Sequence, residues 1–303
     1  MVEKDTHWQT GILLMIAGTF IIPGMDAIAK YLSDSLSPAQ ITWGRFLFQC
    51  LFMGSAIGLM DGHQGFKSRI KHIHALRGLL LAAATGIFFL SLKYLPLADA
   101  IAIFFVQPMI LTVISGVFLG EDIGWYRRIA VCTGFAGALL IIRPAAESFT
   151  AASLLPLLTA TLFSAYLALT KAWSNIDSPR VMQFFSGISA LAILSIVLLI
   201  GTTGSIDTLL FTPPTRSEWF WLAAIGAVSA CGHLLIVMAM SRAPASVLAP
   251  FGYMEIIAAT TLGWLIFNDW PEPLTWMGIG IIVASGICVY YRERRLATSA
   301  HVG

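Results

Sequence analysis

The chain is built from apolar stretches long enough to cross a lipid bilayer, separated by short segments that hold most of its charges. A membrane-spanning helix needs about 20 apolar residues. With 57% hydrophobic and only 11% charged residues, the composition excludes a soluble globular protein and predicts an all-α integral membrane protein. Ten spans are predicted: Thr10–Leu32, Pro38–Met60, Leu76–Tyr94, Leu97–Leu119, Tyr126–Ile142, Ala151–Ala172, Pro179–Ile200, Glu218–Met240, Ala245–Phe267 and Leu274–Tyr291.

The basic residues predict the orientation of these spans. An even number of spans puts both termini on one side of the membrane. If that side is the cytoplasm, thirteen Lys and Arg residues lie inside and four lie outside. Because basic residues accumulate on the cytoplasmic side, we expect a multi-pass protein of the inner (plasma) membrane with both termini cytoplasmic. The net charge of +2 gives no reason to expect a nucleic-acid partner.

A weak internal repeat divides the chain near its middle. At an offset of 141 residues, Ala27–Ser33 aligns with Ala168–Ser174, and Ser37-Pro38 aligns with Ser178-Pro179. Each copy contains five spans, an odd number, so the two copies must cross the membrane in opposite orientations. We expect a first repeat at residues 1–147 and a second at 148–303. Inverted repeats are typical of secondary transporters, which bind their substrate where the repeats meet.

One stretch of the first half carries a family resemblance. Lys93–Ala100, followed by Pro108 and Leu119-Gly120-Glu121, resembles the EamA-type members of the drug/metabolite transporter superfamily, and Ala243–Asp269 is a degenerate second copy. The resemblance implies ten helices in two inverted five-helix repeats around a central cavity. It also implies a small-molecule carrier, since members export amino acids and related metabolites or import compounds such as riboflavin or S-adenosylmethionine.

Four ionisable residues fall inside predicted spans, where a charge costs about 2.5 to 3.5 kcal/mol. Asp26 and Arg45 share a depth near the outer side. They are candidates for an outer gate or for binding an amino-acid-like substrate. The alternatives are a permanent Asp26–Arg45 bridge, or a pair of Asp26 with Lys30 one helical turn away.

The other two, His233 and Glu255, share a depth nearer the inner side. A carboxyl group this close to the membrane centre needs a proton, a partner or water, which favours a role in the cavity. For His233 the alternative is a neutral imidazole satisfied by a backbone carbonyl or by Ser229.

Helix-breaking residues occupy corresponding places in the two halves. Gln107-Pro108 interrupts the fourth span, and Pro250 and Gly252 precede Glu255 in the ninth. Such interruptions indicate a transporter site, although a simple kink is the competing interpretation.

Two further sets of residues complete the predictions about packing and binding. Tyr166, Tyr253, Trp43 and Trp264 are candidates for stacking on a planar ligand, or else ordinary interfacial residues. Small residues four apart, Gly134 with Ala138 and Gly280 with Ala284, predict close packing of the fifth span and its counterpart.

The sequence contains no phosphate-binding loop, no HExxH or GxSxG motif and no cysteine-rich metal signature, so we predict no catalytic residue, cofactor or metal site. His63, His72 and His74 are interpreted as part of a solvated basic loop, with a metal site there as the alternative. All four cysteines fall inside spans, so no disulfide is expected.

The leading hypothesis is therefore a secondary transporter of a small organic metabolite that works by alternating access. Export of amino acids or related metabolites is placed ahead of uptake, and proton coupling through Glu255 is a separate hypothesis. The alternatives are an importer of a vitamin or nucleotide-like compound such as riboflavin or S-adenosylmethionine, a membrane-embedded enzyme acting on lipid-linked substrates, and a non-transporting scaffold.

Overall fold

The computed structural model describes residues 2–60, 62, 66–118, 125–142, 150–173, 176–240, 242, 251–252 and 254–299. Within these ranges the chain is helical and forms no strand. The helices are α1 (Val2–Leu32), α2 (Pro38–Met60), α3 (Lys71–Leu92), α4 (Leu97–Phe104), α5 (Gln107–Phe118), α6 (Trp125–Ile142), α7 (Leu155–Trp173), α8 (Pro179–Thr203), α9 (Arg216–Met240), α10 (Met254–Phe267) and α11 (Pro273–Ser299).

Five stretches of helix are long and apolar enough to cross a membrane unaided, namely 9–32, 71–92, 151–170, 180–203 and 216–236. Shorter apolar helices cover 97–111, 128–142, 254–267 and 273–288. The predicted fold class is confirmed: the protein is an all-α membrane protein built as two inverted repeats of five membrane segments.

The repeat is visible in how the second helix of each half begins. The Ser37 hydroxyl accepts a hydrogen bond of 3.2 Å from the amide of Gln40, and the Ser178 hydroxyl accepts one of 3.4 Å from the amide of Val181. In both places a proline follows the serine and fills the first helical position, where a missing N–H costs nothing. The aligned Ser-Pro pairs therefore cap α2 and α8 in the same way.

Helices of each half pack against helices of the other half. The first helix of each half packs against the third helix of the other half, α1 on α9 and α7 on α3. The second helices pack in the same crossed manner, α2 on α9 and α8 on α3, and α2 also packs on α8. The interface between the repeats is thus the centre of the protein, which is where an inverted-repeat transporter keeps its site.

The fifth helix of the first half, α6, packs on α11 at the periphery. Their backbones approach at Gly137 and Gly278: a Cβ added to Gly278 would lie 2.7 Å from the Gly137 carbonyl oxygen and 2.4 Å from Ile141. A Cβ on Gly280, in contrast, would meet nothing within 4 Å. The prediction that Gly280 provides a close contact is wrong, because this residue faces outward.

Candidate functional site

Asp26 is buried within α1, three residues after a proline inside the helix, with only 3% of its surface exposed. Its Oδ1 atom accepts no hydrogen bond from the described part of the protein. A buried polar atom without a partner costs about 1 to 3 kcal/mol, more if the group is charged. Such an atom therefore indicates a position that a ligand, water or proton completes.

Arg45 on α2 is also buried, and its partners lie on two other helices. Its Nε donates a 2.9 Å hydrogen bond to the Ser229 hydroxyl on α9, and its Nη1 donates one of 2.5 Å to the Thr85 hydroxyl on α3. Ser229 in turn donates to Oε1 of Gln49 at 3.0 Å. These contacts join the first repeat to the second and fix the direction of the guanidinium group.

The structure contains neither of the ion pairs proposed for Asp26. Asp26 lies within electrostatic range of Arg45, but no oxygen of Asp26 is within ion-pair distance of the guanidinium nitrogens. Lys30 instead forms a salt bridge with Asp269 and lies 4.7 Å over the ring of Phe267, in the last turn of α1.

The four intramembrane groups are linked to one another by electrostatic interactions, and together they are called the central cluster. The charge of Arg45 acts on both Asp26 and His233, and the charge of Asp26 acts on Glu255. His233 and Glu255, which the sequence pairs, form no ion pair with each other. Helices α1, α2, α9 and α10 carry these four groups, and their arrangement in two levels stays a prediction.

His233 has a backbone carbonyl as its hydrogen-bond partner, as expected for a neutral imidazole with a structural role. Its Nδ1 lies 2.9 Å from the backbone carbonyl oxygen of Ser229, one helical turn earlier. Because a carbonyl only accepts, Nδ1 carries the proton. Ser229 is thereby a partner of both residues. His233 contacts its backbone carbonyl, and Arg45 donates to its hydroxyl.

The fourth membrane segment is interrupted at its middle, as the Gln107-Pro108 sequence indicates. Helix α4 ends at Phe104 and α5 begins at Gln107, and Pro108 has no N–H to offer the Phe104 carbonyl one turn back. The Ser164 hydroxyl on α7 donates a 3.0 Å hydrogen bond to the Gln107 carbonyl. The interruption is therefore held against the second repeat.

Tyr166 lies on α7 between two buried arginines. Its hydroxyl accepts a 3.2 Å hydrogen bond from Nη2 of Arg77, its ring lies 5.0 Å from that guanidinium carbon, and it interacts electrostatically with Arg45. Its ring also stacks on Phe163. Tyr253, another aromatic candidate, is outside the described residues.

Arg77 belongs to a buried polar network that the sequence reasoning missed. Besides Tyr166, it donates hydrogen bonds to Thr170 on α7 at 3.0 Å and to Ser186 on α8 at 2.9 Å, and its Nη1 also lies 3.2 Å from Nδ1 of His74. Arg77 is one of the thirteen basic residues that the charge pattern assigns to the inner side, yet it lies in the second turn of α3 and is 2% exposed. Its position among the apolar residues of the predicted third span could have indicated that its side chain is buried.

His74 continues this network toward the connection between α7 and α8. It is fully buried, and its Nε2 lies 3.0 Å from a carboxylate oxygen of Asp177. The interpretation of His74 as part of a solvated loop is wrong. Burial of Asp177 opposes ionisation, but hydrogen bonds from Ser68, His74 and the Arg69 amide outweigh it and together lower the pKa of Asp177. No group of three metal-binding side chains occurs among the residues searched.

Comparison with known proteins supports the same reading of the architecture. A family model for the EamA-like transporter family matches residues 9–143 and 150–291, one match in each half. A crystal structure with 18% sequence identity superposes with a TM-score of 0.67 and covers 95% of this chain and 99% of its own, which indicates a shared fold.

Several characterised relatives align over most of their length. An S-adenosylmethionine uptake transporter from Rickettsia bellii is 27% identical over 89% of both chains. A riboflavin transporter from Vibrio cholerae is 28% identical over 92% of both chains. A pseudopaline exporter from Pseudomonas aeruginosa is 26% identical over 93% of this chain and 96% of its own.

Proposed function

Since the chain belongs to the EamA-like transporter family, we propose that it is a secondary transporter that moves a small organic metabolite across the inner membrane by alternating access. The observation that carries this proposal is the Asp26 carboxyl group, buried at the repeat interface with an oxygen that no described residue satisfies. A group placed there at this energetic cost is best explained by a ligand that completes it.

The packing supports alternating access as the mechanism. Arg45 of the first repeat holds Ser229 of the second, and Ser164 of the second repeat holds the interrupted segment of the first. Rocking one repeat against the other would move these partners relative to each other. The substrate site and the moving interface are therefore the same place, so binding can shift the equilibrium between inward- and outward-open states.

For the substrate we favour a metabolite with an amino-acid moiety. Arg45 offers a guanidinium group for a carboxylate and Asp26 a carboxylate for an ammonium group. Among the substrates named for the relatives, S-adenosylmethionine carries such a moiety, whereas riboflavin has no ionised group that needs these partners. The site chemistry thus favours the first kind of substrate over the second.

Uptake is the direction that we propose, with export as the alternative. Uptake is supported by the S-adenosylmethionine uptake transporters among the relatives, and export by the pseudopaline exporter. Both termini are proposed to be cytoplasmic, on the strength of the thirteen inner and four outer basic residues.

Proton coupling is a separate part of the proposal. Asp26 and Glu255 lie within electrostatic range of each other, so a compensating positive charge is needed when both are ionised, and a proton can supply it in the absence of substrate. If Glu255→Gln accumulates substrate against a gradient with an unchanged dependence on the pH gradient, this coupling is excluded.

Counterflow in proteoliposomes tests the main proposal. Purified protein is reconstituted with a preloaded panel of amino acids, S-adenosylmethionine and riboflavin, and exchange of external radiolabelled solute is measured. We expect exchange of at least one amino-acid-type solute, abolished by Asp26→Asn and retained by Asp34→Asn, an exposed carboxylate just after α1. A folded protein that exchanges nothing in a broad panel contradicts transport and favours the enzyme or scaffold alternatives.

A further inference from the structure

Both ends of the interface between the repeats carry the same kind of contact. The connection between the second and third helices of one repeat is hydrogen-bonded to the start of the second helix of the other repeat. Because the repeats are inverted, α2 and α8 begin at opposite faces of the membrane. These faces are named the α2 face and the α8 face, after the helix that begins there.

At the α2 face, the start of α2 holds the connection between α8 and α9. The Ser37 hydroxyl donates a 2.7 Å hydrogen bond to the carbonyl oxygen of Leu210. The Gln40 side chain pairs with the backbone of Thr212 twice, since its Nε2 donates to the carbonyl oxygen at 2.6 Å and its Oε1 accepts from the N–H at 2.8 Å. Gln40 is fully buried, so these bonds replace the hydration of its amide group. Together the contacts form the α2-face latch.

At the α8 face, the carboxylate of Asp177, just ahead of α8, holds the described residues ahead of α3, 66–70. Its Oδ2 accepts a 2.6 Å hydrogen bond from the Ser68 hydroxyl and lies 3.0 Å from Nε2 of His74. Its Oδ1 accepts a 3.4 Å hydrogen bond from the amide of Arg69. One carboxylate of the second repeat thus gathers three groups of the first, and these contacts form the α8-face latch.

An aromatic contact beside each latch shows that the repeat relates the two. Phe66, ahead of α3, packs edge-on against Phe184 of α8, with ring centroids 5.2 Å apart. Phe211, ahead of α9, packs edge-on against Trp43 of α2 at 6.1 Å. Trp43 and Phe184 align at the same offset of 141 residues as the two Ser-Pro pairs. Unrelated loop contacts have no reason to fall on equivalent positions of the two second helices.

Building on the proposed alternating access, we propose that the two latches lock the transport pathway at opposite faces and are released in alternation. Rocking one repeat against the other separates the start of α8 from the residues ahead of α3, or the start of α2 from the connection ahead of α9. Each latch joins a loop of one repeat to a helix of the other, so each opposes one of these movements. Release of one latch opens its own face, while the other keeps the opposite face closed.

Distances between pairs of spin labels, measured by pulsed electron resonance on the purified protein, test this without any substrate. Labels at Lys67 and Ile176 measure the α8 face, and labels at Asp34 and Asp207 measure the α2 face. All four positions are exposed, and the four native cysteines are replaced so that only the chosen positions are labelled.

Asp177→Ala removes the acceptor of the α8-face latch. We expect the population with the longer α8-face distance to rise about fivefold, the effect of losing roughly one net hydrogen bond, while the α2-face distance stays short. Gln40→Ala should lengthen the α2-face distance and leave the α8-face distance short. Arg216→Ala, at an exposed position at the start of α9, should change neither. Where an alanine variant does not fold, Phe66→Leu replaces Asp177→Ala and Phe211→Leu replaces Gln40→Ala, with the same signs expected.

The opposite signs of the two variants separate a latch from a merely structural contact, because a general loss of stability would not select one face. The inference is overturned if both variants lengthen the same distance, if either variant lengthens both distances, or if neither distance responds. Counterflow with the broad panel is a separate measurement. Absence of exchange there is a failure of the proposed function and leaves the distances unaffected.

Discussion

Nη2 of Arg77 donates a 3.2 Å hydrogen bond to the hydroxyl of Tyr166, and this contact joins α3 of the first repeat to α7 of the second. The same tyrosine interacts electrostatically with Arg45. A single side chain thus stands between the central cluster and the buried network of Arg77, His74 and Asp177.

Removing the Tyr166 hydroxyl should have a smaller effect than removing the Arg77 side chain. Tyr166→Phe loses one hydrogen bond and keeps the ring, so we expect a loss of about 1 kcal/mol in the free energy of unfolding. Arg77→Met leaves several buried acceptors without a donor and should cost about 3 kcal/mol or more. Thermal unfolding in detergent measures both. Equal losses would show that Arg77 stabilises the fold through Tyr166 alone.

The Asp177 contact predicts a loss of stability in acid. Because hydrogen bonds hold the pKa of Asp177 below its ordinary value of 3.8, its stabilising contribution is present above pH 3.8 and disappears as the pH falls through the lowered pKa. Asp177→Asn should therefore be less stable than the wild type at neutral pH, and the difference should shrink near pH 3. Unfolding temperatures at both pH values test this.

Asp207 provides the control for that experiment, because it is an exposed carboxylate in the connection between α8 and α9. Asp207→Asn should leave stability close to that of the wild type at neutral pH. If Asp177→Asn shows the same stability difference from the wild type at both pH values, the ionised carboxylate contributes nothing.

The glycines of α11 predict opposite outcomes for the same substitution. Gly278→Ala places a methyl group 2.4 Å from Ile141 and 2.7 Å from a backbone oxygen of α6, so the helices must separate, at a cost of about 1 to 3 kcal/mol. Gly280→Ala meets nothing and should be neutral or slightly stabilising, because alanine favours helix. Matching unfolding temperatures for the two variants would mean that α6 and α11 are not in close contact.

The salt bridge between Lys30 and Asp269 should show measurable coupling. Both side chains are partly exposed, so we expect a coupling energy of about 1 kcal/mol or less in a double-mutant cycle. Lys30→Met and Asp269→Asn supply the single variants, and the combined variant closes the cycle. Fully additive effects on the free energy of unfolding would argue that the two charges do not interact.

Patterns along the chain predicted the features that depend on spacing. The aligned Ser-Pro pairs start α2 and α8, and Gln107-Pro108 ends one helix and begins another. These features depend on backbone chemistry within a few residues of each other. Local sequence is therefore sufficient to specify them.

The sequence did not predict the rotation of each helix about its axis. Depth alone placed Asp26 beside Arg45, but Nε and Nη1 of Arg45 donate to Ser229 and Thr85 instead. Depth also separated Glu255 from Asp26, which the packing brings within electrostatic range. His74 looked like a loop residue because its partner, Asp177, is more than a hundred positions away. Such contacts arise from packing between helices that no local pattern encodes.

The crossed packing of the repeats also bears on how the protein is made. Arg77 finds its partners Tyr166, Thr170 and Ser186 at sequence separations of 89, 93 and 109 residues. When α3 leaves the ribosome, none of these partners has been synthesised. The nascent helix must hold an arginine in or near the bilayer until α7 and α8 follow it. The first half thus enters the membrane before the hydrogen-bond partners of Arg77 in the second half exist. This favours synthesis of both repeats on one chain.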